Sequence, residues 1–145
     1  MSYKNLLIFA FIALIFLASD SQAQVRENQD LPTLTYSELI KDKELYLGKT
    51  VKVKSNWIYG FEWSFLCDSE CKNRQHETWV DFMSEDDLCK GSKRKLKKGG
   101  DKFDNKAQVI FVGKLSSGRF GDGSYIYQFK VSCVEKFKKL PVDLK

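Results

Sequence analysis

Four cysteines, Cys67, Cys71, Cys89 and Cys133, and one histidine, His76, are the side chains of this 145-residue chain best suited to metal or nucleophilic chemistry. Their spacing lacks the paired C-x-x-C knuckles of a zinc ribbon, and no redox C-x-x-C is present. His76 lies close to Cys71 and is the candidate fourth zinc ligand or general base, yet its surroundings, CDSECKNRQH, read as a polar loop. An even cysteine count in an exported chain instead predicts two disulfides, for which four cysteines allow three pairings. The carboxylates Asp81, Glu85, Asp86 and Asp87 could pair for general acid/base work. Placed behind Ser84 they read better as the first turn of a helix, where the dipole favours negative charge.

Two further features could bind rather than react. The run Lys93, Arg94, Lys95, Leu96, Lys97, Lys98 could hold phosphates, anionic head groups or acidic glycans, or simply remain a solvated surface. Trp57, Trp63, Trp79 and the tyrosines near the C-terminus could stack on bases or sugars. Their alternation places most of them on the face expected to be buried, which predicts core packing instead. The segment GDGS at 121–124 lacks the Lys-Ser/Thr of a phosphate loop, and Asp122-Gly123 marks a hairpin turn. No cofactor motif is present, and no catalytic constellation emerges.

The N-terminus predicts export. Lys4 supplies a positive start, an unbroken apolar run follows at 6–18, and Ser21 and Ala23 set small residues before a cleavage point. As a helix that run would be roughly 20 Å long, short of the ~30 Å hydrocarbon core. The expected division is a signal peptide at 1–23, a flexible arm at 24–33, one domain at 34–140 and a tail at 141–145. Hydrophobic residues at 43% and charged residues at 30% exclude a disordered chain, and a net charge of +5 is only mildly basic.

Within the domain, Thr35 and Glu38 form a capping box for a helix at 36–43, with Leu34 and Leu39 as its hydrophobic staple. The stretch TVKVKSNWIY at 50–59 alternates, with Val51, Val53, Trp57 and Tyr59 on one face and Lys52, Lys54 and Asn56 on the other, and predicts a strand. Further strands follow at 61–67, 77–83, 107–115 and 124–137, with a short helix from Ser84 and a glycine-rich turn at 116–123. On the last strand Tyr125, Tyr127, Phe129, Val131 and Cys133 share a face. A three-strand meander, a helix and a hairpin is the order of the OB-fold. The expected fold is therefore mainly β, a five-stranded OB-fold-like barrel with a short N-terminal helix and a short helix between strands 3 and 4.

The stretches YSELIKDKELYLGKTVKVKSNW, TWVDF and VIFVGKL…FGDGSYIYQFKVSCVEKF resemble small exported bacterial OB-fold proteins of the tRNA-anti-like type. The resemblance covers most of 36–137 and implies a fold and an address, not a reaction. In an OB barrel the third and fifth strands run parallel side by side, which brings Cys133 near Cys89. The expected pairs are thus Cys89–Cys133 and Cys67–Cys71. The expected function is an exported, non-catalytic binding module, periplasmic or secreted, with an envelope or extracellular ligand. The alternative is a nucleic-acid or anionic-polymer binder using Lys93, Arg94, Lys95, Lys97 and Lys98, and a small hydrolase comes behind both.

Overall fold

The computed structural model describes residues 31–68, 71, 78–98 and 105–141. The expected signal peptide and its cleavage point, most of the arm, His76 and most of the tail lie outside them. The contacts gather Pro32–Lys145 into a single unit. The chain runs β1 (Thr33–Thr35), α1 (Tyr36–Lys41), α2 (Lys43–Tyr46), β2 (Thr50–Tyr59), β3 (Ser64–Cys67), β4 (Thr78–Phe82), α3 (Ser92–Lys97), β5 (Asn105–Phe120) and β6 (Tyr125–Leu140). The strands form one mixed sheet of six in the order β1-β2-β3-β4-β6-β5. β5 also pairs antiparallel with β2, so the hydrogen bonds close into a ring. β4 and β6 run parallel, as do β1 and β2, and the other pairs are antiparallel.

The helix start follows from its residues. The Thr35 hydroxyl accepts from Glu38 N–H at 3.2 Å, and the Glu38 carboxylate accepts from Thr35 N–H at 2.7 Å. Those bonds from the Thr35 backbone and side chain hold the Glu38 carboxyl below the usual carboxylate range. Its contribution is present above the ordinary carboxylate pKa and is lost as pH falls through the lowered one. Tyr36, Leu39 and Ile40, at helical spacing, are the buried side of α1. The helix is shorter than expected: Asp42 leaves helical geometry at φ −112° and ψ 31°, and α2 begins as a separate turn.

Inside the ring lie Val53, Leu66, Val80, Val109, Phe111, Leu115, Phe129 and Val131, all at 2% exposure or less. Trp57 meets Phe82 and Phe111 edge-on, an arrangement that suits the quadrupoles of the rings. The Tyr36 hydroxyl shares a buried 2.8 Å hydrogen bond with Thr78, which ties α1 to β4.

Several expectations need correction. Among the described residues there are six strands rather than five, because Thr33–Thr35 adds a three-residue strand too short to show a period. The arm therefore ends before Thr33. The second expected strand begins only at Ser64. The expected turn at 116–123 is mostly strand: Ser116 and Ser117 still pair with Gln128 and Tyr127, and the turn is confined to 121–124. No helix starts at Ser84, where the chain makes a turn closed by Asp87 N–H to Ser84 O at 3.0 Å. The helix instead covers 92–97, within the basic run, after Gly91 takes the left-handed conformation at φ 88°.

Opposite β5, residues 132 and 135 of β6 are skipped in the register, so the strand bulges twice. Each bulge switches the face, and Val134, not Cys133, enters the core. β4 pairs with β6 only as far as Val131, and beyond it α3 supplies partners to the open edge at Val134. The Ser92 hydroxyl accepts from Val134 N–H at 2.9 Å, and Lys95 Nζ donates to Val134 O at 2.7 Å. Ser92 is fully buried. Ser92→Ala should therefore cost about 1–3 kcal/mol, because a buried N–H loses its acceptor. Urea titration of the variant measures this, and a loss under ~0.5 kcal/mol would show that α3 does not cap the bulge.

Candidate ligand-binding cleft

The ring sets one outward row of apolar side chains across three strands. Thr78 and Val80 point into the core, so Trp79 between them points out. Its partner across the β3–β4 ladder is Phe65, and Phe65 in turn faces Ile58 on β2. Tyr125, at the start of β6, stacks on Phe65 at 6.1 Å and leans on Trp79 at 5.4 Å. Phe65, Trp79 and Tyr125 are all half-buried.

Two loops flank this row, and each is shaped by a glycine under an aromatic ring. In the β2–β3 loop a Cβ at Gly60 would sit 2.6 Å from the Trp63 indole, and Gly60 N–H donates to Trp63 O at 2.8 Å. In the β5–β6 turn Gly121 is left-handed at φ 62°, and a Cβ there would lie 2.9 Å from Tyr125 and 3.0 Å from Trp79. Between the loops opens a cleft of about 1020 Å³ walled by Ile58, Trp63, Phe65 and Tyr125. Glu62, Asp122 and Ser124 supply its polar groups. Hydrogen bonds from the Ser124 side chain and backbone hold the Asp122 carboxyl below the usual range, so it is ionised near neutrality. Two smaller cavities, of about 380 and 330 Å³, lie against α1 and lack such an aromatic wall.

The residues singled out by sequence are elsewhere. Cys67 is bonded to Cys71 and Cys89 to Cys133, which removes all four as thiolate ligands or nucleophiles. Two disulfides fit an oxidising environment. Among the described residues no helix is long and apolar enough to cross a membrane, and no three metal-ligating side chains converge. The acidic cluster does not serve a helix dipole: Glu85 and Asp86 pair with Lys93 at 2.9 and 3.8 Å, and Ser84 donates to Asp87. The basic run is divided. The Glu85 hydrogen bond raises the Lys93 pKa, Lys95 is the anchor on Val134, and Arg94, Lys97 and Lys98 are exposed. Trp57 is in the core as expected, whereas Trp63 is half-exposed in the wall of the cleft and Trp79 is half-exposed beside it, packed against Tyr125. Trp63 beside the turn at Gly60 was the signal that could have found the site.

No family model matches the chain, and no curated protein is similar to it.

Proposed function

We propose that the protein is an exported, non-catalytic OB-fold binding module that holds its ligand against the aromatic row of the cleft. The strand order supports the fold: β2-β3-β4-β6-β5 returning to β2, with β4 and β6 parallel, is the neighbour pattern of a five-stranded OB barrel, to which β1 is an added edge. The two disulfides and the apolar run at 6–18 support export to the periplasm or beyond. The observation that carries the reading is the aromatic wall between two loops, in the place where OB-folds take oligonucleotides and oligosaccharides.

Charge selects between those ligands. Among the described residues the charged groups that line the cleft are Glu62 and Asp122. Such a rim repels a phosphate backbone, while carboxylates accept hydrogen bonds from sugar hydroxyls above rings that stack on a pyranose face. A neutral oligosaccharide is therefore the ligand class proposed. Titration of neutral oligosaccharides against the tryptophan fluorescence should give a saturable change. Trp63→Ala should weaken binding about fivefold or more, since one stacking ring is worth about 1–3 kcal/mol. Unchanged affinity in Trp63→Ala and in Tyr125→Ser, or no saturation with any neutral oligosaccharide at millimolar concentration, overturns the reading.

A further inference from the structure

We infer that the outer face of β2, β5 and β6 is a second surface, adjoining the cleft where Lys106 lies beside Ile58, that binds an acidic polysaccharide chain. On β5, Ala107, Val109 and Phe111 fill the core, so Lys106, Gln108, Ile110 and Lys114 face outward. The register adds their neighbours. Ile110 lies between Lys54 on β2 and Lys136 on β6; Gln108 lies between Asn56 and Lys138; Lys114 lies between Thr50 and Lys130. Same-face rows are ~7 Å apart along a strand and strands are ~4.8 Å apart. Val112, in the row between Ile110 and Lys114, is fully buried, so the stripe is two groups: Lys54, Lys106, Lys136 and Lys138 over roughly 13 Å by 10 Å, and Lys114 with Lys130 beyond the break.

Stability does not account for this stripe. Lys114 and Lys130 are direct register partners, both exposed, and like charges placed opposite each other in a ladder are destabilising. Lys52 in the same face shows how a structural lysine is handled: it is buried and paired with Glu135 at 2.9 Å. Asp81, the register partner of Lys130 on β4, is the carboxylate at one end of the stripe.

The shape and chemistry of the stripe select the partner. Lysines on the curved outside of a closed ring match a polyanionic chain, whereas a lipid bilayer is a plane. Single-stranded nucleic acid is gripped through aromatic platforms, and the neutral register neighbours in this stripe are Thr50, Asn56, Ile58, Gln108, Ile110, Val112 and Leu140, none aromatic. Lysine ammonium groups on flexible stems suit carboxylates or sulfates at variable spacing better than they suit a bidentate phosphate.

The test uses the full exported chain with heparin and polygalacturonate as probes. Wild-type protein should bind both, with affinity falling steeply as salt rises. The triple change Lys54→Gln, Lys136→Gln, Lys138→Gln should weaken binding about 30-fold, at roughly threefold per exposed contact. Arginine at the same positions should retain binding. The equal charge loss Arg94→Gln, Lys97→Gln, Lys98→Gln in α3 should weaken it less than about threefold. All these side chains are exposed, so matching melting curves certify folding, and Lys136→Gln alone provides a smaller step if the triple variant fails to fold. Absence of binding at low salt, an equal loss in the α3 variant, or tighter binding to single-stranded DNA or phosphatidylglycerol vesicles than to either glycan overturns the proposal.

Discussion

Removing the Cys89–Cys133 disulfide as the double serine variant should lower the unfolding free energy by about 4 kcal/mol, and removing Cys67–Cys71 should lower it by about half as much or less. The two bonds close loops with sequence separations of 44 and 4. In the chain-entropy model the longer loop restrains the unfolded chain far more. The folded-state consequences point the same way. Cys89 N–H donates to Ser132 O at 2.9 Å, so the long bond fastens the turn before α3 directly to the bulge of β6. Ser92 touches that bond through Cys89 Sγ at 3.0 Å while capping Val134, so slack here reaches the buried hydroxyl as well. The short bond instead holds Cys71 at φ 53°. Left-handed backbone costs a non-glycine residue about 1–2 kcal/mol, and releasing it offsets part of the loss. Urea titration of the two double-serine variants measures the difference. Equal destabilisation, or a larger effect from Cys67 and Cys71, would mean that chain entropy does not govern these cross-links.

Much of this architecture was legible because local chemistry and tertiary structure agree. The Thr35–Glu38 box forms, the alternation of TVKVKSNWIY puts Val51, Val53 and Trp57 in the core, and strand adjacency pairs Cys89 with Cys133. The failures are where a backbone irregularity resets the period. Two bulges in β6 exchange Cys133 for Val134 at the core, and nothing in SYIYQFKVSCVEKF marks them. The open edge of β6 beyond β4 is the docking point for α3, so the helix forms where Ser92 and Lys95 can reach Val134 rather than behind the acidic residues that resemble a helix start. The cleft was hidden for a different reason. Ile58, Phe65 and Tyr125 come from three strands and Trp63 from a loop, and only the register brings them together. Read along the chain, each looks like one more core aromatic or aliphatic.

Gly113→Ala should destabilise the fold by about 3 kcal/mol or more, well beyond the usual effect of adding a methyl group. Gly113 is not needed for a left-handed turn; it is a regular β5 residue opposite Val131, on the inward side of the ladder. A Cβ there would collide with the carbonyl oxygen of Lys130 and stand 2.8 Å from Phe129 Cε1. The obstructing atom is backbone, and β6 cannot retreat from it. At Lys130 the strand is held between β5 on one side and β4 on the other. Phe129 is fully buried and cannot turn away without opening the core. Relief must come from pushing β5 and β6 apart beside the first bulge, next to the Val112–Cys133 register pair. The variant should therefore show both a large loss in urea titration and a smaller yield of the Cys89–Cys133 bond on oxidative refolding. Gly123 provides the contrast: it is left-handed at φ 92° with no atom within 4 Å of an added Cβ. Gly123→Ala should cost only the backbone penalty, about 1 kcal/mol. If the two alanine variants are equally stable, close approach of β5 to β6 is not what requires glycine at position 113.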